Sequence, residues 1–152
     1  MALNVVLVEP EIPWNAGNIG RTCVAAGASL HLVGRLGFSL SERRLKRAGM
    51  DYWPKLSLLR HDDFAAFQRS LPHGARLRAF AVAAAKTLWE APLEDDDYLL
   101  FGSESRGLPD EALAACAGHV YRVPMRPEAR SLNLSTSAAI AVFEALRRFT
   151  KD

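Results

Sequence analysis

Two hydrophobic rhythms alternate along the chain: short continuous apolar runs, and apolar positions three or four residues apart. Leu3 to Val8 is a β-branched run ending at Glu9-Pro10, which reads as a strand buried on both faces. The turn-rich stretch Pro13-Trp14-Asn15-Ala16-Gly17-Asn18 follows. Ile19, Thr22, Cys23 and Ala26 then recur at helical spacing up to Gly27, a left-handed stop. Leu30 to Val33 is the next strand, so the opening segment is a βαβ unit. Ser41 to Gly49 predicts a short, exposed polar helix and Leu56 to Leu59 a weak strand. Asp62 is placed to cap a helix that shows Phe64, Phe67 and Leu71 on one face and ends at Pro72-His73-Gly74.

Ala79 to Ala85 and Tyr98 to Gly102 predict two more strands, separated by the acidic loop Glu94-Asp95-Asp96-Asp97. Pro109 to Cys116 predicts a short helix and Val120 to Met125 the last strand. From Asn133 onward Ala139, Val142, Phe143, Leu146 and Phe149 keep helical spacing to the chain end. This order predicts an α/β domain with a parallel sheet of roughly five or six strands. Ligands of such sheets bind outside the carboxyl ends of the strands, which directs attention to the loops after Val8, Ala85, Gly102 and Met125.

Composition narrows the class. With 152 residues, 49% hydrophobic and 24% charged, the chain fits one globular domain over 1–152 and neither a disordered chain nor a disulfide-stapled miniprotein. No apolar run approaches the ~18 residues of a membrane span. The N-terminus MALNVVLVEP lacks the flanks of a signal peptide, so a cytoplasmic protein without a membrane partner is expected. Cys23 and Cys116 stand far apart with no metal-ligand spacing, and His31, His61, His73 and His119 share no ligand or triad pattern. No metal site is expected. The net charge of +2 permits nucleic-acid binding without arguing for it. Only Arg43, Arg44, Lys46 and Arg47 form a dense positive run. It reads either as a solvated helix face or, with the neighbouring Tyr52 and Trp53, as a phosphate-and-stacking surface for single-stranded RNA.

Three loops carry the candidate chemistry. Asn15-Ala16-Gly17-Asn18-Ile19-Gly20-Arg21 matches neither GxxxxGK nor GxGxxG, which counts against a P-loop and against a dinucleotide-dependent oxidoreductase. A turn with an Asn cap would explain it alone. Asn18 and Arg21 together also offer an amide and a forked donor suited to a ribose hydroxyl or phosphate. In Phe101-Gly102-Ser103-Glu104-Ser105-Arg106-Gly107-Leu108-Pro109, Gly102 and Gly107 bracket a charged pair and let backbone approach a ligand closely. The third loop runs from Pro124 to Ser137. Ser131, Asn133 and Ser135 gather there at a helix N-terminus beside Arg126 and Arg130, more than a simple cap requires.

Together NxGNxxR, FGxExxGLP and SLNLS resemble the three signature motifs of the SpoU/TrmH branch of the SPOUT RNA methyltransferases. EPEIPWNAGNIGRTC and RRLKRAGMDYW look like its minimal TrmL (YibK-like) type. Gly20 and Thr136 depart from the usual pattern, where a larger apolar residue and Asn are frequent. The resemblance implies a parallel α/β sheet with helices on both faces, a C-terminal deep trefoil knot, and a homodimer. It implies transfer of a methyl group from S-adenosyl-L-methionine to the ribose 2′-hydroxyl of the wobble nucleotide, cytidine or 5-carboxymethylaminomethyluridine, in the anticodon stem-loop of leucine tRNA. S-adenosyl-L-homocysteine is the other product.

By the same resemblance Val82, Ala83, Gly102, Glu104, Gly107, Val123, Met125, Ser131 and Leu132 would hold the cofactor. Arg21, Asn18, Ser131 and Asn133 would serve the reaction. Arg43, Arg44, Lys46, Arg47, Lys86, Arg106, Arg126 and Arg130 would meet RNA. Methylation at another tRNA or rRNA position, and a non-catalytic RNA-binding protein, are the alternatives.

Overall fold

The computed structural model describes residues 2–41 and 51–150. Its sheet contains β1 (Asn4–Val8), β2 (Ser29–Val33), β3 (Leu58–His61), β4 (Leu77–Phe80), β5 (Lys86–Thr87), β6 (Tyr98–Phe101) and β7 (Val120–Arg122). Their spatial order is β3-β2-β1-β6-β4-β7-β5, and each pairing between these strands is parallel. Among the described residues four α-helices accompany them: α1 (Pro13–Ala26), α2 (Phe64–Ser70), α3 (Asp110–Ala115) and α4 (Leu134–Phe149).

Both faces of the sheet are covered, as the continuous apolar runs require. Val5 and Leu7 of β1 join Leu30, Leu32, Leu99 and Phe101 in a core completed by Ile19 and Cys23 of α1 and Ala138, Ala141 and Val142 of α4. The alternate residues Val6 and Val8 join Val33, Ala79 and Leu100 against Phe64 and Phe67 of α2 and Ala112 of α3. Each such buried aliphatic or aromatic side chain is worth about 1.5–3 kcal/mol relative to exposure. Cys23 and Cys116 are free and buried, one in each core. Burial pushes their thiols up to about 12 and about 11, so both stay protonated and unreactive near neutrality.

Among the described residues the sheet has seven strands rather than five or six, because β5 is a two-residue edge strand with no hydrophobic signature. The strand expected over Ala79 to Ala85 is β4, which begins earlier and stops at Phe80. The chain turns where the Ala84 N–H bonds the Ala81 carbonyl, leaving Val82 and Ala83 exposed. The last strand stops at Arg122 rather than Met125, just before Pro124, which has no N–H to give a ladder. β3 runs Leu58–His61 instead of Leu56–Leu59, because Pro54 lies in a short 3-10 turn, Trp53–Lys55, that occupies the preceding residues. Asp63, not Asp62, caps α2: its Oδ1 accepts the Ala66 N–H at 2.7 Å. The helix expected over Ser41 to Gly49 lies mostly outside the described residues.

α1 also differs from expectation, since Pro13 to Asn18 forms its first turns. Pro suits the first helical position, where an N–H would have no intrahelical partner. Ile12, the N-cap residue, offers no side-chain cap. That service comes from a distant carboxylate, which sequence spacing does not reveal.

Candidate active site

Glu104 supplies the missing cap. Its Oε2 accepts the Glu11 N–H at 2.7 Å, and its Oε1 accepts the Ile12 N–H and Asn15 Nδ2, each at 3.2 Å. A carboxylate at the positive end of α1 is electrostatically favoured. Glu11 reciprocates, accepting from Ser105 N at 3.0 Å and Ser105 Oγ at 2.5 Å. These two bonds hold the Glu11 carboxyl below its ordinary pKa, with the Ser105 hydroxyl as the larger cause. Asn15 carries the connection onward: its Oδ1 accepts from Asn133 Nδ2 at 3.0 Å. Asn133 caps α4 with its own Oδ1, which accepts from Ser135 N at 2.9 Å, Ser135 Oγ at 2.5 Å and Thr136 N at 3.3 Å. One hydrogen-bonded chain therefore joins all three motif loops, with the buried amide of Asn15 at its centre.

Because the strands are parallel and β1, β6, β4 and β7 are adjacent, the loops that follow them converge at one edge of the sheet. They enclose a cavity of about 590 Å³ floored by Phe80 and Phe101, whose rings stack with centroids 5.0 Å apart. Val82, Ala83, Gly102, Glu104, Gly107, Val123, Met125, Ser131 and Leu132 all line it, as do Asn133 and Arg106. The volume falls in the range of small-molecule sites.

The glycines of the middle loop do different work. Gly107 has φ +69°, and an antiparallel bridge joins it to Ser103, with Gly107 N to Ser103 O at 2.9 Å. Gly102 has no such φ. A Cβ there would lie 1.9 Å from the Gly107 carbonyl carbon and 2.1 Å from Leu108 N. The chain's own backbone makes a close approach at Gly102, which also lines the cavity.

Arg21 and Asn18 lie elsewhere. They border a shallower depression of about 480 Å³ between α1 and α4, shared with Ser135, Thr136, Ala139, Ile140 and Phe143. Leu134 and Ser137 face the first cavity while Ser135 and Thr136 face the second, so the first turn of α4 stands between the two. Of the four residues expected to serve the reaction, Ser131 and Asn133 belong to one hollow and Asn18 and Arg21 to the other.

Lys86, Arg126 and Arg130 are exposed, and Arg106 is exposed with one terminal nitrogen 3.8 Å from a Glu9 carboxylate oxygen. Arg43, Arg44, Lys46 and Arg47 lie outside the described residues. Tyr52 and Trp53, read from sequence as a stacking surface, are instead half-buried within the chain. The Tyr52 hydroxyl donates to the Gly17 carbonyl, and Trp53 packs over Gly20, where a Cβ would meet its ring at 3.0 Å. The small residue at position 20 thus makes room for an indole. Burial, partly opposed by the nearby Arg21 charge, raises the Tyr52 pKa. Among the described residues no cluster of three His, Cys, Asp or Glu side chains could hold a metal ion. Sequence reasoning missed Asn15 and Glu11. Asn15 stood inside the quoted motif but reads there as an ordinary turn residue.

A model of the SpoU rRNA Methylase family matches residues 2–143. The chain belongs to that family. A relative from Saccharophagus degradans (strain 2-40), named tRNA (cytidine(34)-2'-O)-methyltransferase, is 45% identical over 147 residues, covering 95% of this chain and 94% of that one. Among solved structures, one concerned with the 2-OH methylation of C/U34 on tRNA superposes with a TM-score of 0.90 at 51% identity, covering 97% of this chain and 95% of the other. An AdoMet-bound rRNA methyltransferase from Sinorhizobium meliloti gives a TM-score of 0.83 at 33% identity, covering 99% of this chain but 57% of that longer one. The parallel α/β architecture of the SpoU methylases is thus shared along nearly the full chain.

Proposed function

We propose that this protein transfers a methyl group from S-adenosyl-L-methionine to the 2′-hydroxyl of the wobble nucleotide, cytidine or 5-carboxymethylaminomethyluridine, of leucine tRNA. The observation that carries the reading is the convergence of three separate loops on one cavity of about 590 Å³, in a chain 45% identical to a relative named tRNA (cytidine(34)-2'-O)-methyltransferase. The residues present suit the cofactor. Val82, Val123, Met125 and Leu132 give apolar walls for a nucleoside, the loop backbones offer donors and acceptors, and the Ser131 hydroxyl can hold a polar tail. When bound, the cofactor supplies an electrophilic methyl on a sulfonium and departs as S-adenosyl-L-homocysteine. Glu104 and Asn133 act by holding the loops that form the cavity, through the hydrogen bonds described above.

Arg21 takes the other half of the reaction. A guanidinium does not deprotonate in proteins, so Arg21 stabilises the developing alkoxide while phosphate or water accepts the proton. Asn18, one turn earlier on the same exposed face, orients the ribose. Lys86, Arg106, Arg126 and Arg130, with the run Arg43, Arg44, Lys46 and Arg47, meet backbone phosphates of the anticodon stem-loop. The single domain over 1–152 works as a cytoplasmic homodimer, with the C-terminal segment threaded as a trefoil knot. The separation of Arg21 from the cavity by the first turn of α4 supports a shared site, in which Arg21 of one subunit serves the cavity of the other.

The test is methyl transfer from labelled cofactor to leucine tRNA in the presence of a chelator, using magnesium-independent, pre-annealed anticodon stem-loops. Wild-type protein methylates the wobble ribose, and a 2′-deoxy wobble nucleotide blocks the label. Arg21→Ala lowers kcat by about 10²–10³-fold while leaving cofactor affinity in calorimetry near wild type. Subunits carrying Arg21→Ala mixed with subunits carrying Ala83→Trp, each inactive alone, recover about a quarter of wild-type activity if the site is shared across a two-fold dimer. Recovery of none places Arg21 and cavity in the same subunit.

A further inference from the structure

Trp14 has the most exposed large hydrophobic side chain among the described residues, at 61%. Its indole makes no ring contact or hydrogen bond with the other described residues, unlike Trp53, which is packed against the core. It stands at the second position of α1, and the exposed face of that helix reads Trp14, Asn18, Arg21 and Ala25, at spacings of four, three and four. Residues so spaced lie one above another on a single stripe. Ile12 and Asn15, on either side of Trp14 in sequence, both line the large cavity, whereas Asn18 and Arg21 border the smaller depression. Helical side chains lean toward the N-terminus, so the indole overhangs the mouth of α1, where the motif loops meet.

We propose that Trp14 is a positioning residue that stacks on the base of the nucleotide being methylated. The proposal rests on the methyltransferase reading above and extends it to the base. Trp14 and Arg21 are separated by about 10 Å of helix rise, on the scale of one nucleoside laid along the stripe with its base on the indole and its ribose toward Arg21. An indole face stacks on any base and reads no hydrogen-bond pattern, so it suits a site that accepts either a cytidine or a modified uridine.

The experiment compares wild type, Trp14→Ala and Trp14→Phe on two anticodon stem-loops, one carrying wobble cytidine and one carrying an abasic ribose at that position. On the cytidine substrate, Trp14→Ala lowers kcat/KM by about 10- to 100-fold, mostly through KM, and Trp14→Phe restores most of it. Cofactor affinity and the oligomeric state stay at wild-type values. On the abasic substrate wild type falls to the level of Trp14→Ala, and the variant loses little more, because ring and base have only each other to lose. Additive losses overturn the proposal, as does a Trp14→Ala protein with full activity, with weakened cofactor binding, or with a changed oligomeric state. The last would make the indole an interface residue. If wild-type protein methylates no wobble ribose, the methyltransferase reading falls and this inference with it; wild-type transfer with an unaffected variant overturns this inference alone.

Discussion

A single missing carbon decides the middle loop. At Gly102 any Cβ would lie within 2.3 Å of three backbone atoms of Gly107 and Leu108, and backbone cannot swing aside as the end of a flexible side chain can. Gly102→Ala is therefore expected to lose about 3 kcal/mol of stability, the upper end for overpacked sites, and to lose cofactor binding with the distorted loop. Gly118→Ala is the matching control. Its φ of +84° is strained for alanine but nothing lies within 4 Å of the new carbon, so it costs about 1 kcal/mol. Urea denaturation of both variants reads the difference, and equal losses would show that the loop relaxes around the added carbon at position 102. The sequence marked Gly102 as special through its motif, but the reason could not be read there. A position needing a close approach looks the same whether a ligand or the chain's own backbone comes near.

Elements were most legible where local pattern and tertiary burial agree. The run from Leu3 to Val8 and the spaced apolar residues of α4 faced no competing signal, and both formed as expected. The start of α1 was hidden because its cap comes from Glu104, about ninety residues away in sequence. The acidic loop before β6 hid a second long-range element. Asp97 is fully buried, its Oδ1 accepting from Arg76 Nε at 2.7 Å and its Oδ2 from Arg78 Nε at 3.2 Å and Glu94 N at 2.9 Å. Its carbonyl accepts the Asn4 N–H at 3.0 Å, so one residue ties the starts of β1, β4 and β6. Four consecutive acids read as a solvated loop, and nothing in their order singles out the buried one. Asp97→Ala leaves the buried Arg78 guanidinium without its carboxylate, and is expected to cost about 3–5 kcal/mol, measured by thermal or urea unfolding. Asp97→Asn retains a carbonyl acceptor and should cost less. A loss under 1 kcal/mol in the alanine variant would show that water replaces the carboxylate at Arg78.

At the scale of the whole molecule, the β3-β2 side of the sheet carries a pH dependence set by two histidines. His31 is 5% exposed, and its ring stacks on His61 with centroids 5.3 Å apart beside Phe67 and Tyr98. The Asn4 amide donates to the Ala2 carbonyl, so its Oδ1 is free to accept from His31 Nε2, 3.3 Å away. That leaves His31 Nδ1 to accept from His61 Nε2 at 3.0 Å, and both rings are neutral with assigned tautomers. A second proton on His31 would set two N–H groups against each other. Burial chiefly, and the neighbouring His61 charge next, lower the His31 pKa from 6.5 to about 4; burial also lowers that of His61. A depressed histidine pKa means that the unfolded chain binds the proton first. Stability is therefore full above pH 6.5 and declines as pH falls toward 4. The His31 shift corresponds to about 3 kcal/mol over the whole window, of which about 2 kcal/mol is lost between pH 7.5 and pH 5. His31→Phe keeps an aromatic ring against Phe67 without a titrating group, so most of this slope should disappear from its urea-unfolding free energies. An unchanged slope in the variant would assign the acid sensitivity to His61, whose pKa burial also lowers, because carboxylates such as Glu144, held down to about 2 by Arg147 and Arg148, lose their contribution only below pH 4.5.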